Sequence, residues 1–164
     1  LHLMAKAHPD VQFTGVDFWG NVVELNARLL LPNFTVRQGY ALPMIEAGLN
    51  GDIVHFGSTA ARIKQAELQR YLRSIPKYVI FNEPIFKLPD GTLPDPDAVG
   101  ASIPTLLYPV YAGDRFGGLP PCLCHNYRLL AEEAGFDVVH YEKVYDENRV
   151  GSTPRVMLIG KRRT

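Results

Sequence analysis

An aspartate stands at the end of a strand-like segment near the start of the chain. The segment "FTGVDFWGNVVELN" runs from Phe13 to Asn26, and Asp17 ends its apolar, β-prone part. In α/β sheets, ligands bind beyond the carboxyl ends of the strands, where a carboxylate can accept hydrogen bonds from both hydroxyls of a ribose. Each such bond contributes on the order of 1.5–3 kcal/mol. Asp17 is therefore a candidate ribose ligand; it could also cap a helix that begins near Gly20.

Other segments extend this candidate site. Phe18 and Trp19 follow Asp17 directly and could form an apolar wall against a nucleobase, or pack in the core. Later segments also place polar residues or glycine beside strand-like runs: "RQGYALP" (37–43), "NGDIVHFGS" (50–58), "KYVIFNEPIF" (77–86), "HNYRLLAEEAGFDVVHYEKV" (125–144) and "RVMLIGKR" (155–162). Each segment is common in α/β proteins, so their order and spacing carry the information.

The elements that must position these residues alternate between strands and helices. The candidate strands are rich in Val, Ile, Phe or Tyr and cover residues 12–17, 35–38, 52–56, 78–82, 137–145 and 155–160. Helical periodicity separates the first four, so right-handed crossovers should give a mainly parallel sheet covered on both faces. The last two strands are joined by a loop and should form an antiparallel hairpin. The predicted fold is α/β, with a doubly wound, mainly parallel sheet and an antiparallel C-terminal hairpin.

One helix and one long interruption complete this organisation, which we interpret as a single domain over residues 1–164. Asn126 could cap the helix "YRLLAEEA", and Gly135 stands where that helix should end. Residues 84–121 contain eight of the thirteen prolines and show little periodicity. Long segments of this kind are usually functional or mobile. Residues 84–121 are thus either a variable surface insertion or a lid that walls the substrate site, and their aromatic side chains favour the lid.

Composition limits the partners and the compartment. Acidic and basic residues number 17 each, which gives no reason to expect nucleic acid or an anionic membrane as partner. The apolar runs are far shorter than the ~20 residues of a membrane helix, and the first residues lack the features of a signal peptide. Cys122 and Cys124 are one residue apart, which disfavours a mutual disulfide, and no second Cys/His cluster indicates a metal site. We therefore predict a cytoplasmic protein with reduced thiols and without metal; the oligomeric state stays open.

Taken in this order, the segments resemble class I S-adenosylmethionine-dependent methyltransferases. In that family an acidic residue at the end of strand two holds the ribose of the cofactor, as Asp17 would. The segment after strand three touches the adenine, and here it reads Gly-Tyr-Ala-Leu-Pro from Gly39. "GDIVHF" matches strand four. The resemblance implies cofactor contacts for Asp17, Phe18, Trp19, Gly39, Tyr40, Ala41, Phe56 and Gly57.

The resemblance covers nearly the whole chain outside residues 84–121 and implies a Rossmann-like methyltransferase fold. "YVIFNEP" matches strand five, and the family sheet also ends in an antiparallel hairpin. Two departures stand out. Tyr40 replaces the acid that in many members bonds the adenine amino group, so Tyr40 could stack on the base or merely pack. The Gly-rich loop after strand one is absent, and residues 1–9 look like the tail of the helix that follows it, so we expect that strand and loop upstream of Leu1 in the natural protein.

The resemblance implies methyl transfer from S-adenosylmethionine to an O or N atom of a small-molecule acceptor by in-line displacement. The enzyme must mainly hold nucleophile, methyl carbon and sulfur in line, and a general base helps when the acceptor is a hydroxyl. His125 is the first candidate base because its ordinary pKa is near neutral, and Glu83 is the second; each could instead be structural. Asn82 could orient the acceptor. His55, in the middle of a strand, is expected in or near the core.

Two other functions are compatible with the same residues. An NAD(P)-dependent dehydrogenase also holds a ribose with an acid at a strand end, but the antiparallel terminal hairpin favours the methyltransferase. A non-catalytic methyltransferase-like subunit that binds a partner is favoured by Tyr40 and by the missing Gly-rich loop. No pattern in the sequence identifies the acceptor.

Overall fold

The computed structural model describes residues 2–17, 20–28, 31–49, 51–88, 90–100, 102–105, 122–144 and 153–164. The chain divides into two compact units, Leu1–Leu49 and Asn50–Thr164. All six strands predicted from the sequence are present, and their bounds lie within two residues of the predicted ones. The single domain over residues 1–164 stays a prediction. Within the described residues, no helix is long and apolar enough to cross a membrane.

The first unit is a small parallel α/β element. Its helices and strands are α1 (His2–Ala7), β1 (Phe13–Asp17), α2 (Gly20–Ala27), β2 (Phe34–Gln38) and α3 (Ala41–Glu46). β1 and β2 pair in parallel, with Phe13 opposite Phe34 and Asp17 opposite Gln38. Helix α2 connects the two strands, as the alternating pattern predicted. The carboxyl ends of both strands therefore lie side by side.

A buried amide holds the first unit together. Asn33 precedes β2 and is 3% exposed. The carbonyl oxygens of Ala5, His8 and Val11 each lie 2.9 Å from its Nδ2. Buried carbonyl groups need donors, so Asn33 fastens α1 and the loop after it to the start of β2.

The second unit contains a mixed four-stranded sheet. Its elements are β3 (Ile53–Gly57), a 3₁₀ helix (Ala60–Arg62), α4 (Gln65–Ser74), β4 (Tyr78–Pro84), β5 (Ser102–Pro104), β6 (Leu123–His125), α5 (Tyr127–Glu133), β7 (Phe136–Val144) and β8 (Arg155–Arg162). The sheet order is β3-β4-β8-β7. β3 and β4 are parallel, whereas β4 with β8 and β7 with β8 are antiparallel. The predicted C-terminal hairpin is confirmed, and so is a mixed α/β fold; the doubly wound arrangement stays a prediction.

The core of the second unit forms around the central strands β4 and β8. The fully buried side chains Val79, Phe81, Val156 and Leu158 come from these strands, and Leu68 and Leu72 come from α4. On β3, Phe56 is buried but His55 is exposed. The expectation that His55 lies in or near the core is therefore wrong, because successive strand residues face opposite sides and Phe56 takes the core side.

One arginine ties together the carboxyl ends of two helices. The guanidinium of Arg162 donates to the carbonyl groups of Leu72 and Ile75, each 2.6 Å from Nη2, at the end of α4. It also donates to the carbonyl of Ala134 at the end of α5. Its Cζ lies 4.0 Å from the ring centroid of Phe136. Because the last carbonyl groups of a helix lack partners within the helix, Arg162 supplies donors that α4 and α5 need.

The cap predicted for α5 is also confirmed. The Asn126 side chain accepts a hydrogen bond from the Leu129 N–H at 3.0 Å, and Gly135, at φ +91°, ends the helix. A left-handed residue at this position is usually glycine, since it has no Cβ.

The described part of residues 84–121 has more structure than its sequence pattern indicated. β5 pairs with β6 in antiparallel fashion, with Ser102 opposite His125. Lys143 Nζ on β7 lies 2.9 Å from a carboxylate oxygen of Asp95 and 2.9 Å from one of Asp97. Three-residue strands are too short to show a period of two, so the sequence did not reveal β5 or β6. The lid stays a prediction, and residues 106–121 lie outside the described residues.

Candidate functional site

In the first unit, the candidate ribose ligand lies where the sequence placed it. Asp17 is the last residue of β1, its side chain is half-buried, and α2 begins at Gly20. The Gly39 N–H donates to the Asp17 carbonyl at 2.9 Å, which extends the pairing of β1 and β2 by one bond. Asp17 therefore stands at the carboxyl edge of a parallel pair, the usual ligand edge of such sheets. Phe18 and Trp19 lie outside the described residues.

The three residues assigned to adenine follow β2 directly. Gly39 has φ +150°, and Tyr40 occupies the N-cap position of α3 without a hydrogen bond from its side chain to the helix end. The Tyr40 residue is 71% exposed, so Tyr40 does not pack as a core residue. Ala41, the first residue of α3, is half-buried. An exposed ring beside a strand end leaves the stacking interpretation of Tyr40 in place.

In the second unit, the end of β3 divides into a buried and an exposed part. Phe56 is 5% exposed and stacks on Phe81, with ring centroids 5.2 Å apart and an interplanar angle of 16°. Gly57 is exposed, and Ser58 after it has φ +62°. A non-glycine residue in this left-handed region is uncommon and is often found at a functional site. The backbone of residues 57 and 58, rather than the Phe56 ring, is exposed at this strand end.

Glu83, the second candidate base, is fully buried at the end of β4. Its Oε1 accepts from the Thr59 N–H at 3.0 Å, and its Oε2 accepts from the Ala61 N–H at 3.2 Å. Burial raises the pKa of Glu83, while these backbone N–H groups and the charge of Arg155 act in the opposite direction. Both carboxylate oxygens therefore hold the start of the 3₁₀ helix that follows β3.

His125, the first candidate base, is also fully buried. Its Nε2 lies 3.1 Å from the Ala60 carbonyl oxygen and 3.0 Å from the Ile63 carbonyl oxygen. Its Nδ1 lies 2.5 Å from Ser102 Oγ. Burial lowers the pKa of His125, and the two carbonyl groups partly oppose this shift, so the ring is neutral at neutral pH. Its base role stays a prediction.

The fold brings Glu83 and His125 to the same short turn. Glu83 binds N–H groups at the beginning of residues 59–63, and His125 binds carbonyl groups within that turn. The turn begins two residues beyond the carboxyl end of β3, on the ligand edge of a parallel pair. Both residues thus fix the backbone beside that edge.

A polar cluster that the sequence did not reveal lies on the same edge. Arg155 donates from Nε to Asn82 Oδ1 at 2.6 Å and from Nη2 to Ser58 Oγ at 2.8 Å. The Ser58 N–H in turn donates to the Asn82 carbonyl at 3.1 Å. Arg155 begins β8 and lies opposite Pro84 at the end of β4. One predicted strand ends at Asn82 and another begins at Arg155. Had these two strands been predicted to pair in antiparallel fashion, Arg155 would have been placed beside Asn82.

Two further observations concern the cysteines and metal binding. Cys122 and Cys124 are buried free thiols. Within the described ranges, no group of three or more His, Cys, Asp or Glu side chains is arranged to hold a metal ion.

Comparison with known proteins identifies the fold. No protein-family model matches the chain, and no curated protein matches it. The crystal structure of the N-terminal domain of EvdMO1 with bound SAH, the demethylated form of S-adenosylmethionine, is 12% identical with a TM-score of 0.64, over 98% of this chain and 69% of that one. The S-adenosylmethionine-dependent methyltransferase SibL is 19% identical with a TM-score of 0.57, over 98% of this chain and 46% of that one.

A third match is a methyltransferase from Synechocystis. Magnesium protoporphyrin IX methyltransferase from Synechocystis PCC 6803, with bound SAH, is 13% identical with a TM-score of 0.53, over 93% of this chain and 64% of that one. This chain has the class I S-adenosylmethionine-dependent methyltransferase fold. It spans about half the length of the SibL structure, at 46%.

Four of the predicted contact residues lie at strand ends. Asp17 ends β1, Gly39 and Tyr40 follow β2, and Gly57 ends β3. Each therefore lies at the carboxyl end of a parallel strand in its own unit, the position at which α/β sheets bind their ligands.

Proposed function

We propose that this protein is an S-adenosylmethionine-dependent methyltransferase that transfers a methyl group by in-line displacement to an O or N atom of a small molecule. The observation that carries the proposal is Asp17 at the carboxyl end of β1, beside Gln38 and the glycine turn after β2, in a methyltransferase fold. A carboxylate at this point can accept both ribose hydroxyls. The EvdMO1 domain and the Synechocystis enzyme were each solved with SAH bound, which supports the same cofactor here.

The first unit would supply the nucleoside contacts. Asp17 accepts the ribose hydroxyls, Gly39 and Ala41 lie along the adenine, and Tyr40, an exposed residue, is proposed to stack on the base. Aromatic rings that stack on a base contribute about 1–3 kcal/mol in nucleic-acid complexes. Phe18 and Trp19, which lie outside the described residues, are proposed as an apolar wall against the base.

The other residues of the proposal belong to the second unit and are considered by themselves. Gly57 lets the chain pass close to the cofactor, and Phe56 supports it from the core. We propose His125 as the proton acceptor and Glu83 as a positioning residue, because both Glu83 oxygens hold backbone N–H groups. The main catalytic effect is alignment of acceptor, methyl carbon and sulfur, which can contribute ~7–11 kcal/mol.

A small-molecule acceptor fits the related structures. One matching protein is the pyocyanin biosynthetic protein PhzM, and another is magnesium protoporphyrin IX methyltransferase. We propose an acceptor of this size class for the present protein. A cytoplasmic location is supported by the free, buried thiols Cys122 and Cys124.

Isothermal calorimetry on the intact protein tests the cofactor. S-adenosylmethionine and SAH should each bind with measurable heat and raise the unfolding temperature, because a ligand that binds only the folded state stabilises it. NADH should do neither. Binding of NADH without binding of SAH would establish the dehydrogenase alternative and end the methyltransferase proposal.

A non-catalytic methyltransferase-like subunit is the second candidate. It is favoured by the hydrogen bonds that occupy both oxygens of Glu83 and both ring nitrogens of His125. Such a subunit would bind SAH but would not convert S-adenosylmethionine to SAH with any acceptor. Release of SAH in the presence of a small-molecule acceptor, measured by mass spectrometry, would exclude it.

A further inference from the structure

A serine and a histidine face each other across the short β5–β6 pair. Ser102 on β5 lies opposite His125 on β6, and its Oγ is 2.5 Å from His125 Nδ1. Ser102 is half-buried, whereas His125 is fully buried. Of the two, Ser102 is thus the residue that can meet a bound molecule.

The hydrogen bonds of His125 fix its tautomer. Nε2 lies at 3.1 and 3.0 Å from the carbonyl oxygens of Ala60 and Ile63. A carbonyl oxygen only accepts hydrogen bonds, so Nε2 carries the hydrogen. In the neutral ring Nδ1 is then unprotonated, and the Ser102 hydroxyl donates to it. The pair is already arranged for a proton to move from Ser102 to His125.

The same carbonyl groups would stabilise the ring after it receives that proton. An imidazolium carries a hydrogen on each nitrogen, and its Nε2–H would still point at two acceptors. Carbonyl groups in this place orient the ring, as the third residue of a nucleophile–base–orienter arrangement does. Among the described residues, the Tyr127 ring lies 5.5 Å from the His125 ring between centroids and the Cys124 thiol precedes it in β6. Arg62 belongs to the turn that His125 binds, and the Glu83 carboxylate accepts from the N–H groups of that turn.

The pair also lies in the right part of the second unit. His125 binds the turn that follows β3, and this turn is at the carboxyl edge of the parallel β3–β4 pair. Ligands of α/β sheets bind at this edge. Ser102 belongs to residues 84–121, for which the aromatic side chains of the sequence favour a substrate wall over a surface insertion.

We propose, on the basis of the methyltransferase function above, that Ser102 contacts the acceptor hydroxyl and relays its proton to His125. The acceptor proton passes to Ser102 Oγ as the Ser102 proton passes to Nδ1. The acceptor oxygen forms the new bond to the methyl carbon, the carbon–sulfur bond breaks, and its electron pair stays on the sulfur of SAH. The positive charge leaves the sulfonium and ends on the imidazolium, so atoms and charge balance.

This relay selects the class of acceptor. A neutral imidazole is a weak base, and it accepts a proton from an acid of pKa ~10 much more readily than from an ordinary alcohol. A phenolic hydroxyl has a pKa of that size. The relay therefore favours a phenol over an ordinary alcohol as the acceptor. An amine that attacks as the free base needs no such relay, so the acceptor is a phenol rather than an amine.

The test compares Ser102→Ala and Ser102→Thr with the control Ser74→Ala, whose hydroxyl donates to the Arg70 carbonyl within α4. SAH formation is followed with phenol, catechol and 4-hydroxybenzoate as probes, and with matched aromatic amines. Wild type and Ser74→Ala should methylate at least one phenol. Ser102→Ala should lower kcat by about 10²–10⁴-fold with unchanged calorimetric affinity for SAH, and Ser102→Thr should recover most of the rate.

The pH profile separates a relay from a structural role. As the pH approaches the phenol pKa of ~10, the acceptor ionises by itself, so the gap between Ser102→Ala and wild type should close. A gap that stays constant with pH, an unchanged kcat, or methylation of amines alone would each overturn the relay. Should Ser102→Ala fail to fold, Ser102→Thr decides, because it keeps the hydroxyl: a rate near that of wild type supports the relay and a lost rate contradicts it. Failure of SAH binding in wild type would instead refute the methyltransferase proposal itself.

Discussion

Replacement of Glu83 by glutamine separates a positioning role from a base role. The carboxylate is fully buried and accepts two backbone hydrogen bonds, from Thr59 at 3.0 Å and from Ala61 at 3.2 Å. A glutamine keeps one oxygen but turns an NH₂ group toward the other N–H. The change therefore removes one hydrogen bond to a charged group, worth about 1.5–3 kcal/mol, and leaves a buried donor without an acceptor, which costs about 1–3 kcal/mol.

Removal of a buried charge offsets part of this cost. We expect a net loss of about 2–4 kcal/mol in the free energy of unfolding, a large part of the ~5–15 kcal/mol of a typical domain. For a chain of this size, the unfolding temperature should drop by roughly 4–16 °C. Urea unfolding followed by circular dichroism gives the free energy directly.

Glu132→Gln is the matched control, because Glu132 is exposed on α5. Surface changes of this kind stay within about 0.5 kcal/mol of wild type. If Glu83→Gln were also within about 0.5 kcal/mol of wild type, its hydrogen bonds would not hold the turn after β3. The positioning role would then be refuted.

Two other predictions address the second unit. Arg162→Ala removes the donors shared by the ends of α4 and α5, so the free energy of unfolding in urea should fall by about 3–5 kcal/mol. The control Lys161→Ala, at an exposed residue of the same strand, should change that free energy little. Equal losses in the two variants would contradict the shared cap. Burial lowers the pKa of His125 below its ordinary value of 6.5, so the unfolded chain binds a proton first as the pH falls. The free energy of unfolding should therefore decrease as the pH falls below ~6.5. His125→Gln should remove this pH dependence, whereas the control His140→Gln, at an exposed histidine, should keep it. An equal pH dependence in both variants would show that His125 is not its source.

Much of the fold could be predicted from local sequence. The six strands are dense in Val, Ile, Phe and Tyr, and each is long enough for its composition to stand out. The hairpin of β7 and β8 was predicted because a loop without helical pattern joins the two strands in the sequence. The α5 cap was visible because Asn126 and Gly135 act within a few residues of themselves.

The environment of the candidate bases could not be predicted in this way. His125 is held by carbonyl groups 62 and 65 residues away in sequence, and Glu83 by N–H groups 22 and 24 residues away. Such partners depend on how β3, β4 and β6 meet in space, and no local period records this. The Arg155 cluster was missed for the same reason, since Arg155 reaches Asn82 across the β4–β8 pairing.

The measurement that bears most directly on the proposed cofactor is the affinity for SAH of three proteins, wild type, Asp17→Ala and Asp10→Ala, by isothermal calorimetry. Asp10 is an exposed aspartate in the loop after α1 and controls for the loss of one negative charge. Loss of the hydrogen bonds from the ribose hydroxyls should cost ~2–4 kcal/mol, so Asp17→Ala should bind SAH about 30- to 1000-fold more weakly, with Asp10→Ala unchanged. Equal affinity in all three proteins would contradict the assignment of Asp17 to the ribose, and no binding by wild type would contradict the methyltransferase function.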